Sequence, residues 1–401
     1  MARDFVFVSE SVTEGHPDKL CDQVSDAIVD RLLAADPLAR VSAECALARG
    51  VVFLAVRYAA AASVDLAELT RRVIAEVGYD SGDFNAADCS VMTSITALDP
   101  AERYPADEQH LSDAALDALT AREQVTVFGY ACQDTPVLMP MPLYLAHRLA
   151  RRLALLRLGR QLPWLSPDGK TQVAVRYRDG RPAGIHSITL QAGCLPAAPP
   201  LAEVRDILLR QAVQPVLAQE GLALEEPARL FVNPEAGLPP APGGPAVHAG
   251  LTGRKGAVDT YGEFARHGGG ALSGKDPGRI DRSGAYAARH AAKALVAAGL
   301  AARCEVMLSY SIGLARPVSV QVDSFGSGVV ADDTLAQALQ DTLDLRVGAI
   351  VRRFNLRHLS ARRGGFFRRL AVYGQVGRTD LGLPWEQLHE AADVRRAAGV
   401  S

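Results

Sequence analysis

Five lysines stand among the 43 basic residues of this 401-residue chain, and four of them sit in short motifs punctuated by glycine, proline or aspartate. The motifs are His16-Pro17-Asp18-Lys19, Pro167-Asp168-Gly169-Lys170, Gly253-Arg254-Lys255 and Ser273-Gly274-Lys275-Asp276, while Lys293 lies apart from them. A chain so biased toward arginine uses it wherever any cation suffices. A compact ammonium on a flexible stem is a point charge for phosphate oxygens, a role that a planar guanidinium fork does not reproduce. The retained lysines therefore read as a polyphosphate site rather than as scattered surface charge.

The residues around them fit that chemistry. Pro17 suits the first turn of a helix, where free N–H groups and the positive dipole end favour an anion, and Lys19 adds charge. Asp18 has the chemistry to hold a Mg²⁺ that bridges phosphate oxygens, and His16 to donate to a departing oxygen. The run His267-Gly268-Gly269-Gly270 lets backbone approach a ligand closely. Gly269 to Lys275 fits the GxxxxGK spacing of a phosphate-binding loop, but Asp276 stands where Ser or Thr should follow, and no buried apolar strand precedes it. Asp259 and Asp281 are candidates for a second metal or for pairing with Arg254 and Arg282. With no GxSxG or HExxH signature, catalysis should rest on positioning and charge stabilisation.

Three repeats of one element order position these motifs. Leu20, Val24, Ile28 and Leu32 predict a helix, followed by a β-pattern over 46–58 and a helix over 64–77. The middle third repeats this with a helix over 143–155, a hairpin turning at Asp179-Gly180, and a helical stretch over 201–216. The last third has a helix over 284–298, strands over 306–312 and 318–322, and a closing helix over 334–354. The fold class is α+β: three similar α-β-β-α units with largely antiparallel sheets, divided at 1–105, 119–243 and 244–385. Residues 99–122 read as a mobile loop. Apolar residues on both faces of Val173-Ala174-Val175 suggest sheet-on-sheet burial in an oligomer. A net charge of −2 argues against a nucleic-acid partner, and six cysteines without a CxxC pair fit a reducing cytoplasm. No apolar run approaches membrane-spanning length, and the first residues lack the layout of a signal peptide.

Phe7-Val8-Ser9-Glu10-Ser11-Val12-Thr13-Glu14-Gly15 and the His16 motif resemble the N-terminal signature of the S-adenosylmethionine synthetases. Gly250 to Lys255, Asp259-Thr260-Tyr261-Gly262 and His267 to Asp276 are similar to that family's later glycine-rich motifs, and the likeness spans nearly the whole chain. It implies a pseudo-threefold fold, a homodimer or homotetramer, and sites shared between subunits. The implied reaction is attack of a thioether sulfur on C5′ of ATP, with the expelled triphosphate hydrolysed to pyrophosphate and phosphate. On this resemblance His16 stabilises the leaving oxygen, Lys170, Arg254, Lys255 and Lys275 hold the triphosphate, Asp18 and Asp281 bind Mg²⁺, and Glu44 binds K⁺.

Other positions depart from the family pattern. The acid that meets the methionine ammonium falls on Arg57, and a loop glutamine on Leu98. An acid of a glycine-rich loop becomes Glu123, a substrate-contacting aspartate His248, and a methionine-site lysine Arg279. An Arg-Phe pair around adenine is replaced by Glu235 to Pro240. The first reading is transfer of adenosyl to methionine or a methionine-like thioether; the alternatives are a divergent homologue using a different acceptor or nucleotide, a triphosphate hydrolase without alkyl transfer, and a non-catalytic partner subunit.

Overall fold

The computed structural model describes residues 4–400 apart from 225, 227, 235–240 and 363–364, so the Glu235 to Pro240 stretch lies outside the described residues. In chain order the strands are β1 (Phe5–Val12), β2 (Arg40–Ala48), β3 (Val51–Ala59), β4 (Ser90–Ala97), β5 (Val125–Cys132), β6 (Leu165–Arg178), β7 (Arg181–Cys194), β8 (Arg229–Val232), β9 (Gly250–Leu251), β10 (Arg303–Tyr310) and β11 (Ser319–Asp323). They form three sheets, ordered β1-β6-β7-β8, β11-β10-β5 and β4-β3-β2-β9. Pairing is antiparallel except where β4 joins β3 and β8 joins β7. Asp179 and Gly180 both take positive φ, 48° and 74°, which matches the twist of the β6–β7 hairpin.

Each sheet is completed by a strand from another third of the chain. Strand β1 pairs with β6, β5 with β10, and β9 with β2. A repeat read along the sequence misses this, because a lone strand such as β1 or β5 carries no helix of its own beside it.

Helices cover the inner faces. Leu20, Val24, Ile28 and Leu32 of helix Pro17–Ala35 share one core cluster with Leu54 and Val56 of β3 and with Leu295 of helix Ile280–Ala297. Leu145, Leu149 and Leu153 of helix Met141–Leu158 pack in a second cluster with Val173 and Val175. Val173 and Val175 are thus buried by their own chain. Exposed apolar side chains include Val6, Val8 and Phe231 on the opposite face of the β1-β6-β7-β8 sheet, and Val51, Phe53, Met92 and Leu251 on the outer face of the β4-β3-β2-β9 sheet.

Three expectations change in detail. The stretch 201–216 is helix Leu201–Leu208, a π-turn over Leu209–Val213 and helix Gln214–Gln219. Pro215 has no N–H to offer Gln211, whose carbonyl instead accepts from Arg152 Nε at 2.8 Å. The closing helix breaks into Asp332–Thr342 and Val347–Phe354, with Asp344 held by Arg346 between them. Residues 99–122 are folded down rather than free: Tyr104 and Glu108 are buried, and Glu108 takes a two-pronged contact from the buried Arg357. No helix among the described residues is long and apolar enough to cross a membrane.

Candidate active site

Helix Pro17–Ala35 carries aspartates at 18, 22, 26 and 30, one per turn, on the side opposite Leu20, Val24, Ile28 and Leu32. An acidic stripe normally faces solvent, yet all four are buried. Each accepts a backbone N–H, and together they hold three incoming segments. Asp18 Oδ1 takes that of Leu251 at 3.1 Å, Asp22 that of Gly253 at 2.8 Å, and Asp26 that of Gly274 at 2.9 Å. Asp30 takes those of Phe367 and Arg368 at 3.1 and 2.9 Å. The helix therefore staples both glycine-rich motifs in place. Arg282, fully buried, reaches Asp26 at 2.6 Å and the Lys275 carbonyl at 2.8 Å, which fixes the backbone of that lysine. The signal for this framework, aspartates every fourth residue, stands in the sequence but reads there as a solvated face.

The first functional cluster forms where this helix begins. His16 is the N-cap, and its Nδ1 accepts from the Asp18 N–H at 3.2 Å, which leaves Nε2 as the protonated nitrogen. Burial, and then the ammonium of Lys255, lower its pKa to about 3, so the ring is a neutral donor and its 3.8 Å approach to Asp18 is no ion pair. Asp18 Oδ2 lies 3.3 Å from Lys255 Nζ, and Oδ1 lies 3.7 Å from Arg254 Nε. Lys170 ends this cluster from β6, opposite Val12, and acts on His16 electrostatically. Asp168 accepts the Gly244 N–H at 2.7 Å, while its Oδ1 is buried with no partner. Burial raises its pKa, opposed in part by that N–H, Lys170 and His248. His248 thus stands at the edge of this cluster.

A second cluster gathers Lys275, Arg279, Asp281 and Glu123. Lys275 Nζ is 3.1 Å from Asp281 Oδ1, and Arg279 pairs with Glu123. Burial, and then a hydrogen bond to Asp281, push Glu123 up to about 7. Burial works to raise Asp281 as well, but the Glu123 hydrogen bond and Lys275 hold it below the usual carboxylate range. A Cβ at Gly270 would fall 2.6 Å from Asp281 Oδ1, which accounts for glycine there.

Both clusters border the same strand edge. Leu251 pairs with Ala46 of β2, and Lys275 bridges to Ser42. Four residues separate those positions, about 13 Å of strand, with the exposed Glu44 facing outward between them. Arg57 is exposed on the same outer face, opposite Ser42, and Leu98 is half-buried just past β4. Neither joins a cluster.

Lys19 does not belong to the anion site. It is fully buried and pairs with Asp22, at 2.9 Å, and with Asp259. Burial works to lower its pKa, but the two carboxylates outweigh it and keep it charged. Asp259 is thereby engaged with Lys19, while Arg254 turns to Asp18 and Arg282 to Asp26. Asp276 is structural, accepting from Val41 N, Gly278 N and the Tyr104 hydroxyl.

The donor set suits Mg²⁺. Among the described residues no three His, Cys or acidic side chains converge as a protein cage. Among metal-binding side chains Asp18 has only His16 beside it and Asp281 only Glu123, and no N–H or hydroxyl donor reaches the buried Asp281 Oδ2. One carboxylate completed by phosphate oxygens and water is the arrangement Mg²⁺ favours.

Comparison with known proteins agrees with this geometry. The profile of the S-adenosylmethionine synthetase N-terminal domain matches residues 4–100, that of the central domain 118–238, and that of the C-terminal domain 242–387. The chain is 44% identical over 411 residues to the S-adenosylmethionine synthase of Gloeothece citriformis, covering 99% of this chain and 98% of the relative. It is 46% identical over 414 residues to that of Synechococcus elongatus, covering 99% of each, and 46% identical over 409 residues to that of Thermosynechococcus vestitus, covering 98% of each. With a cluster of lysines and aspartates on either side of Glu44 and likeness along its whole length, the chain belongs to the S-adenosylmethionine synthetase family.

Proposed function

We propose that the protein transfers the adenosyl group of ATP to the sulfur of methionine or a methionine-like thioether. The observation that carries this reading is the pair of lysine–aspartate clusters, held by one helix at the edge of one sheet. The sulfur lone pair attacks C5′, the C5′–O bond breaks with its electrons leaving on triphosphate, and the sulfur becomes a sulfonium. His16 Nε2–H donates to the departing oxygen as charge develops there. Lys170, Arg254, Lys255 and Lys275 hold the triphosphate through its oxygens and keep it in place for hydrolysis to pyrophosphate and phosphate. Mg²⁺ held at Asp18 and Asp281 would neutralise phosphate charge, and K⁺ at Glu44 would offset charge between the clusters.

The roughly 13 Å between the clusters of one chain favours a homodimer, or a homotetramer built from it, in a cytoplasmic setting. Two copies meeting through the outer face of the β4-β3-β2-β9 sheet would bury Phe53, Met92 and Leu251, exposed by 42%, 56% and 44%. They would set the Lys275 cluster of one protomer against the His16 cluster of its partner. The division into units at 1–105, 119–243 and 244–385 stays part of this reading. The deciding experiment is mass spectrometry of the protein with Mg²⁺, K⁺, ATP and L-methionine. S-adenosylmethionine with equimolar pyrophosphate and phosphate is the expected result, and phosphate release without a sulfonium would reject it.

A further inference from the structure

Tyr104, from the stretch once read as a mobile loop, is buried against the turn that carries Lys275. Its N–H donates to the Leu38 carbonyl at 3.0 Å, and its hydroxyl donates to Asp276 Oδ1 at 3.0 Å. Burial, then the Asp276 carboxylate, push that hydroxyl above the ordinary tyrosine range, so it stays a donor. The Arg357 guanidinium lies over the ring at 3.9 Å and is itself held by Glu108, four residues beyond Tyr104, at 2.6 Å. Arg40 and Arg122 also lie over the ring, at 5.0 and 5.4 Å, and with Arg57 on the next strand they form a basic rim at this end of β2–β3. Burial, then Arg122, lower the pKa of Arg40, while Asp276 and Glu102 favour its charge.

The fit between this ring and the turn is close. A Cβ at Gly278 would fall 2.0 Å from the Tyr104 hydroxyl oxygen, so the tyrosine requires glycine there. Asp276 Oδ1 also accepts the Gly278 N–H at 2.8 Å, and Oδ2 accepts the Val41 N–H at 2.8 Å. The peptide joining Lys275 to Asp276 is held at both ends, its C=O by Arg282 at 2.8 Å and its N–H by the Val41 carbonyl at 3.2 Å. Tyr104 completes the donors that fix the Asp276 side chain, and with it the backbone from which the Lys275 stem departs. We propose that Tyr104 is a positioning residue for phosphate binding, acting through Asp276 to aim Lys275. The inference rests on the reading of Lys275 as a triphosphate ligand in adenosyl transfer. It makes the 99–122 segment a support of the second cluster, although that segment touches no ligand through Tyr104 itself.

The test is a double-mutant cycle on the full-length protein. It reads the affinity for Mg²⁺-diimidotriphosphate, a tripolyphosphate analogue that is not hydrolysed, by titration calorimetry, beside sulfonium formation from ATP and L-methionine. Tyr104→Phe keeps the ring beneath the arginines and removes only the hydroxyl. It should weaken binding about tenfold in the otherwise unaltered protein and less than about twofold in Lys275→Ala, where no ammonium remains to be aimed. In Lys255→Ala, whose charge lies in the other cluster, the loss of about tenfold should persist. Gly278→Ala, which crowds the hydroxyl from the other side, should follow the same pattern. A loss equal in all three backgrounds, or none in any, would overturn the positioning role. No sulfonium with the coupling intact would reject adenosyl transfer and leave the role of Tyr104 standing. No binding of the analogue by the unaltered protein would overturn the phosphate role of Lys275 and this inference with it.

Discussion

The acidic stripe of helix Pro17–Ala35 and the arginine rim of β2–β3 are both dense in like charge, but they resolve it in opposite ways. Along the helix, Asp22, Asp26 and Asp30 find a backbone N–H and, for two of them, a buried cation, so the charges are consumed by the structure. On the rim, Arg40 and Arg122 lie over the Tyr104 ring and Arg57 shares a sheet face with Arg40, and none of the three makes an ion pair among the described residues. The contrast teaches that composition does not distinguish a framework charge from a ligand-facing one. What distinguishes them is whether each polar atom already has a partner inside the fold. Asp18 sits between the extremes, with one oxygen given to Leu251 and the other turned to Lys255.

Substitutions sharpen that contrast. Asp26→Ala strands Arg282, which is wholly buried, and should cost about 3–5 kcal/mol in denaturant unfolding. It should lower activity as well, because Gly274 and the Lys275 carbonyl lose their anchor. Lys255→Ala removes a ligand-facing charge instead. It should lower kcat by about 10²–10³ while the unfolding midpoint barely moves. Equal effects of the two on stability would erase the distinction.

His147 offers a framework group read by pH. Its Nδ1 is 2.8 Å from Ser11 Oγ, and burial, then Arg378 and Lys19, lower its pKa to about 3. The unfolded chain takes up a proton near pH 6.5, whereas the folded one resists until far lower, so this group favours the fold fully above 6.5. That advantage is lost as pH falls toward 3, amounting to about 2–3 kcal/mol by pH 4.5. His147→Asn should flatten the acid limb of the stability curve over that range. At the small end, Arg72 meets Glu68 at 3.9 Å with both more than half exposed, and Arg72→Ala should shift stability by less than about 0.5 kcal/mol.

Much of this site was legible in the sequence. Lys170, Lys255 and Lys275 stood out by residue type and glycine context, and the structure brings each to a cluster. Lys19 looked equivalent, but its neighbours in space, Asp22 and Asp259, make it a core ion pair. That outcome depends on a residue 240 positions away, which no local spacing reveals. The helices were legible because apolar period survives along one segment. Strands β1, β5 and β9 were not, since their partners lie in other thirds of the chain, and the π-turn before Pro215 arose from a missing donor rather than a pattern.

The lending of β1, β5 and β9 across the thirds has a consequence for synthesis. The sheet containing β2 and β3 lacks β9 until residue 251 has emerged, and β5 has no partner until β10 follows at 303–310. Loop closures this long make the fold's contacts strongly non-local, which slows folding and delays its completion until nearly the whole chain has left the ribosome. A fragment cut at either junction would carry an orphaned strand edge, so the three thirds succeed or fail as one cooperative unit.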